Sequence, residues 1–203
     1  MLENLSNTIN EIATISISDE RKEILKPLIE YIQIKFENKE EIRLNFICTH
    51  NSRRSHLCQV WAQTLAYHFQ IKKVNSYSGG TEATALFPKV AQILEIQGYK
   101  IQKINDGDNP VYGIKFDENQ LPIIGFSKTY FDDFNPKSDY AAIMACSQAD
   151  NGCPFILGAE KRIAVTYNDP KEFDNSTLQH EKYLERSLQI ASEMYYVFSK
   201  IKK

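Results

Sequence analysis

Cys48-Thr49-His50-Asn51-Ser52-Arg53-Arg54-Ser55 is the stretch on whose reading the fold depends. Residues 42–47 before it, Ile-Arg-Leu-Asn-Phe-Ile, alternate in strand fashion, and residues 56–69 after it carry Leu57, Trp61, Leu65 and Phe69 at helical spacing. A strand, a tight polar turn and a helix N-terminus build a concave nest of backbone N–H groups, which suits a tetrahedral oxyanion. Thr49, His50, Asn51, Ser52, Arg53 and Arg54 are the candidates to line it. Cys48 adds a nucleophile at the strand end, where the helix terminus and the Arg54 guanidinium both favour thiolate. The Arg54 fork matches two oxyanion oxygens at once. The plainer alternative is a buried cysteine at a strand end beside two solvated arginines.

The chain has 203 residues, enough for one domain with a sizeable core. Hydrophobic residues make up 42% and charged residues 25%, the balance of a globular protein. A net charge of −2 gives no invitation to a nucleic acid. No apolar run nears the ~20 residues that span a bilayer, and Met1-Leu2-Glu3-Asn4 lacks the basic and apolar regions of a signal peptide. A cytoplasmic protein without membrane partners is expected, where thiols stay reduced. Its four cysteines, 48, 58, 146 and 153, are then catalytic, metal-binding or buried rather than structural disulfides.

Upstream, Leu5, Ile9, Ile12 and Ile15, then Ile24, Leu28, Ile29 and Ile32, recur at helical spacing. Ser18 is placed to cap the second helix, with Asp19 and Glu20 in its first turn. Residues 1–40 are expected to form a helical arm that packs on the domain or pairs two protomers, and nothing in them suggests chemistry. Downstream, residues 74–78 read as a strand ending at Gly79-Gly80, and a helix containing Pro88, Val90, Ala91, Leu94 and Ile96 stops at Gly98. This order implies parallel strands with right-handed crossovers. Residues 99–138 suggest an antiparallel insertion or an extended sheet edge, with strands at 99–104, 111–116 and 121–126. The apolar run 140–145 suits a central parallel strand and delivers Cys146 to its carboxyl end, where open α/β sheets bind ligands. Residues 147–160 read as a loop and 163–167 as the last strand. Residues 177–201 read as a final helix with Leu178, Tyr183 or Leu184, Leu188, Ala191, Tyr195 and Phe198 inward.

Two more stretches bear on chemistry. Cys146-Ser147-Gln148-Ala149-Asp150-Asn151-Gly152-Cys153-Pro154 sets two thiols seven residues apart. They read as a redox pair, a zinc pair or inert buried thiols, and the further Cys or His partners of a closed zinc site are missing from the pattern. Asp169-Pro170, after the last strand, reads on residue types alone as a turn starter. Cys58 reads as a small buried hydrophobe, and His50 and His56 as solvated or helix-start histidines, with His50 also able to join the rim of the nest.

Together these stretches resemble the low-molecular-weight protein tyrosine phosphatase superfamily, most closely its thioredoxin-coupled arsenate reductases, over roughly residues 42–98 and 139–200. The resemblance implies an α/β, three-layer fold around a central, mainly parallel four-stranded sheet of the phosphatase I, flavodoxin-like type. The N-terminal arm and a small β insertion, about 99–138, would be additions to a single domain over 1–203. It also implies an enzyme reducing arsenate to arsenite by a three-cysteine relay. Cys48 would attack arsenate, Cys146 would attack the adduct and release arsenite, Cys153 would take over the disulfide, and thioredoxin would reduce it. Arg54 and Ser55 would serve Cys48, Asn51 would hold the loop, and Asp169 would protonate the departing oxygen. No tightly bound cofactor is implied. Some members hold a potassium ion with an Asn, a Glu and a Ser; Asn51 and Ser78 match, but Gln59 replaces the Glu. Arg53 stands where several members carry an extra Cys. The alternative within the superfamily is a phosphatase hydrolysing phosphotyrosine or small phosphate monoesters through a cysteinyl-phosphate, with Tyr130, Phe131 and Tyr167 as candidate walls. A non-catalytic oxyanion-binding module is the third possibility. The expected partners are arsenate or phosphate and thioredoxin, and the expected state is a monomer or homodimer.

Overall fold

The computed structural model describes residues 1–153 and 155–203. The chain runs through α1 (Glu3–Ile12), α2 (Asp19–Glu37), β1 (Ile42–Cys48), α3 (Arg54–His68), β2 (Val74–Gly80) and α4 (Pro88–Ile96). It continues through β3 (Lys100–Lys103), β4 (Tyr112–Lys115), β5 (Ile123–Gly125) and β6 (Tyr140–Met144). It closes with α5 (Ser147–Gly152), β7 (Ala159–Ala164) and α6 (Gln179–Ser199).

The apolar strands assemble in the order β2-β1-β6-β7, every pair parallel, so all four carboxyl ends share one edge of the sheet. β6, Tyr-Ala-Ala-Ile-Met, is buried throughout, as a central strand covered on both faces must be. Helices flank the sheet: α3 packs on β1 and β2, α6 on α3, and α2 on β1, β7 and α6. This is the parallel α/β architecture expected. β3, β4 and β5 form a separate antiparallel sheet, the insertion option rather than an extended edge.

The arm packs on the body. Leu5, Ile9 and Ile12 of α1 and Leu25, Leu28 and Ile32 of α2 all lie in the core. Ser18 caps α2 through a bond from the Arg21 N–H. Gly98 ends α4 at φ +100, and a Cβ there would lie 2.3 Å from the Leu5 nitrogen. The glycine that stops α4 is thus also what lets α1 lie against it.

Three elements differ from expectation. Residues 147–152 form a helix rather than loop. Only Ala149 is buried in it, so there was no apolar period to read. β7 starts earlier than 163, because this half-buried edge strand is fixed by its ladder to β6 rather than by hydrophobicity. Residues 165–167 extend that ladder, Val165 N–H to the Met144 carbonyl and Tyr167 N–H to the Ala145 carbonyl. The buried face of α6 is Tyr183, Ser187, Ile190, Ala191, Met194, Val197 and Phe198, while Leu178 is exposed. The face is rotated because α6 packs on α1, α2, α3 and α4 at once. No helix among the described residues is long and apolar enough to cross a membrane.

Candidate active site

β1 stops at Cys48 and α3 begins at Arg54, so residues 49–53 must turn the chain alone. Asn51 makes this possible by adopting φ +44, a left-handed conformation that Asn tolerates. Its buried side chain then holds both sides of the loop. Nδ2 donates to Ser55 Oγ at 2.8 Å, and Oδ1 accepts the Lys128 backbone N–H at 2.9 Å. Ser55 Oγ lies 3.1 Å from Cys48 Sγ. Since that hydroxyl accepts from Asn51, its own proton is free to point at the sulfur. Ser55 sits inside the first turn of α3; the cap position is Arg53, whose side chain makes no capping bond. Gly80 closes the other wall, where a Cβ would lie 2.7 Å from the Thr49 carbonyl oxygen and 2.8 Å from the Asn51 nitrogen.

Arg54 is buried. Nη1 donates to the Tyr167 carbonyl at 3.0 Å, Nη2 pairs with Asp169 Oδ2, and Nε has no partner among the described residues. A buried guanidinium N–H without an acceptor is costly, and an oxyanion oxygen would satisfy it. Asp169 starts the turn, as one of its sequence readings had it. Oδ1 caps the turn at Pro170–Phe173 by accepting the Lys171 N–H at 3.1 Å, while Oδ2 faces Arg54. Thr49, His50 and Arg54 line a cavity of about 810 Å³ opposite Tyr167, Asn168, Asp169 and Lys171, with Ser147 and Gln148 beside them.

The later thiols come to the same end of the sheet. The Ala145 N–H bonds to the Ile47 carbonyl at 2.7 Å, so Cys48 and Cys146 leave adjacent strands side by side. Cys146 is fully buried; its Sγ lies 3.5 Å from Thr49 Oγ1 and accepts the Ala149 N–H at 3.4 Å as the N-cap of α5. Half-buried Cys153 is the C-cap of the same helix. Arg162 of β7 fastens that end, donating to the Cys153 carbonyl at 2.9 Å and to Asp150 Oδ1 at 2.6 Å. Pro154 lies outside the described residues.

Several candidates sit differently from expectation. Arg53 turns its side chain away, to Asp174 Oδ2 at 2.6 Å and the Tyr183 hydroxyl at 2.5 Å, with its guanidinium over Phe87. It contributes backbone to the loop and ties it to α6. His56 stands at the helix start, in the first turn of α3, but is wholly buried rather than solvated, with Nδ1 3.2 Å from Ser78 Oγ. Burial, then the nearby Lys128 charge, pushes its pKa down to about 3. His50 does reach the cavity rim. Cys58 is buried, and burial pushes its thiol up, as an inert hydrophobe requires. Of the three candidate aromatic walls only Tyr167 lines the cavity; Tyr130 follows the end of β2, bonding to the Gly80 carbonyl, and Phe131 is exposed.

The potassium set does not fit a cation. Asn51 Oδ1 and Ser78 Oγ are already bonded within the protein, and Gln59 is neutral where the pattern has a carboxylate. The Lys128 ammonium is also buried nearby, stacked on Phe126 and Phe134, its pKa lowered to about 8 by burial. Lys128 escaped the sequence reading altogether, because its backbone anchors Asn51 across 77 residues of chain.

No family model matches the chain. Arsenate reductase 2 of Staphylococcus haemolyticus is 30% identical over 126 residues, which cover 62% of this chain and 76% of that protein. Among solved structures, the low-molecular-weight protein tyrosine phosphatase of T. tengcongensis superposes at a TM-score of 0.53 and 14% identity, over 79% of this chain and 99% of that one. An arsenate reductase in its oxidized state superposes at 0.51 and 20% identity, over 79% and 98%. The structures share the fold, the curated relative shares sequence over most of its length, and this chain accordingly belongs to the arsenate reductase family, on the fold it has in common with the low-molecular-weight phosphatases.

Proposed function

We propose that the protein is an arsenate reductase running on Cys48, Cys146 and Cys153 in that order. The observation that carries this is the position of Cys146, 3.5 Å from the Thr49 hydroxyl at the lip of the oxyanion loop. A phosphatase would use the same loop and Asp169 but has no work for a second thiol there.

Arsenate enters the cavity at 49–54 and takes the backbone N–H groups and the Arg54 fork as donors. Ser55 steadies the Cys48 thiolate, which attacks arsenic. Asp169 gives a proton to the departing oxygen, which leaves as water. Cys146 attacks the Cys48 sulfur of the adduct, arsenite leaves with the bonding electron pair, and a Cys48–Cys146 disulfide remains. Cys153 attacks Cys146, frees Cys48 and leaves Cys146–Cys153, which an external dithiol of the thioredoxin class reduces.

The last exchange requires movement. Cys146 and Cys153, seven positions apart across a six-residue helix, have their Cα atoms roughly 10 Å apart, whereas a disulfide holds its Cα atoms about 4.4–6.8 Å apart. α5 therefore unwinds as Cys153 arrives. With one buried residue and Gly152 at its end, little opposes this beyond the Arg162 contacts. The chain works in the cytoplasm, without a bound potassium ion, and the helical arm folds with the catalytic body as one unit.

Cys153→Ser should give one equivalent of arsenite per protein and then stop, with Cys146 trapped on Cys48 by mass spectrometry. Sustained turnover by that variant would sink the relay. Release of p-nitrophenol from its phosphate ester, abolished by Asp169→Asn and unaccompanied by arsenite formation from arsenate, would establish the phosphatase instead.

A further inference from the structure

We infer that Arg21, on the N-terminal arm, is a positioning residue for the Arg54 fork. The inference rests on the oxyanion-loop reading above only for what Arg54 does.

Arg21 lies in the first turn of α2 and makes a two-pronged pair with Glu193 of α6, Nε to Oε1 at 3.0 Å and Nη2 to Oε2 at 2.5 Å. Glu193 is 2% exposed and the Arg21 side chain 20%, so the carboxylate is buried and the guanidinium partly so; Glu193 Oε1 also accepts from Gln189 at 3.0 Å. The third nitrogen of Arg21 reaches further: Nη1 donates to the Thr166 carbonyl at 3.3 Å, and the guanidinium lies 5.2 Å from the centre of the Tyr167 ring. The next carbonyl along, that of Tyr167, is the one that accepts Arg54 Nη1 at 3.0 Å.

Successive carbonyls of an extended chain point in opposite directions. One arginine therefore grips residues 166–167 from the arm side, and the other leans on them from the cavity side. The Tyr167 N–H, bonded to the Ala145 carbonyl at 3.1 Å, ties the same segment to the strand that carries Cys146, and Asp169 follows two residues later. Without Arg21 this segment loses its outer hold. Glu193 would also be left buried and unbalanced, close enough to Cys58 and Tyr167 to bear on both, as Arg54 bears on Cys58. The arm touches no substrate; it sets where the oxyanion arginine stands.

The test is the ratio of Cys48 alkylation rates with iodoacetate and iodoacetamide, read by peptide mass spectrometry. The two reagents differ in charge, so the ratio reports a cation beside the sulfur rather than thiol exposure. Replacing both partners, Arg21→Met with Glu193→Leu, removes the pair without stranding a charge. The ratio should fall about fivefold in the double variant while its melting temperature stays near the parent's. Arg21→Lys keeps the charge but loses the fork, and should fall nearly as far; it decides the matter if the double variant does not fold. A ratio within twofold of the parent's in a folded variant overturns the inference. Protection of Cys48 in the parent by inorganic phosphate is a separate reading. Its failure would count against the oxyanion loop, not against the placement of Arg54 by Arg21.

Discussion

Two thiol-bearing stretches meet at the carboxyl edge of the sheet, and they are held in opposite ways. In residues 48–55, Asn51, Arg54 and Ser55 are buried; Asn51 and Arg54 take partners from distant segments, at Lys128, Tyr167 and Asp169, and Asn51 in turn holds Ser55. In residues 146–157, Phe155 and Leu157 are 75% and 80% exposed, and a six-residue helix is pinned mainly by one arginine. The contrast follows from the work proposed for each. Donors that stabilise a developing charge act best when fixed before it arrives. A thiol that must cross to another sulfur cannot be fixed.

That contrast can be broken at its stiff end first. His56 lies under the loop, and its pKa is pushed down to about 3 against an ordinary 6.5. Between those values the unfolded chain binds a proton that the folded one refuses, so stability is lost as pH falls from about 6.5 toward 3, by up to roughly 5 kcal/mol. Urea titrations at pH 7 and pH 4.5 should show the loss, and His56→Gln should remove most of the difference between the two. An unchanged pH response in that variant would mean the histidine is not buried as described.

Next comes the fork. Arg54→Lys keeps the charge but loses the two-pronged geometry, and kcat/KM for arsenate should fall on the order of 10³-fold. A loss under about tenfold would say that the loop backbone alone does the binding.

Asn51→Ala strips the partner from the Lys128 N–H and leaves alanine at φ +44. A cost of about 2–4 kcal/mol in chemical denaturation is expected, and a cost below about 1 kcal/mol would show that the loop is not set in advance.

The smallest effect tests the soft end. A Cβ at Gly152 would meet nothing within 4 Å. Gly152→Ala should therefore strengthen α5 by about 1 kcal/mol and slow Cys146–Cys153 formation roughly fivefold. The first-turnover burst of arsenite should be unaffected. Equal slowing of the burst would place the rate-limiting motion elsewhere.

What the sequence disclosed, and what it hid, divides along the same line. The alternation at 42–47, the apolar run at 140–145 and the spacing of Cys48 and Arg54 are local patterns, and each put its element or residue where the structure has it. α5 was hidden because its cap is a sulfur and it buries only Ala149. The burial of His56 was hidden because its partner Ser78 lies on β2, 22 positions along the chain. Lys128 and Arg21 act through backbone carbonyls and N–H groups far along the chain, and nothing in a lysine or arginine codon neighbourhood announces such a contact. The outward turn of Arg53 depends on Asp174 and Tyr183, both more than a hundred positions away.

The three sulfurs of the proposed relay are not equally open to water: Cys48 is 3% exposed, Cys146 not at all, and Cys153 only half-buried. Under that proposal the thiol that faces an external dithiol is the last of the three. Electrons would then enter at residue 153 and pass inward to residue 48, and graded burial would give the exchange its direction.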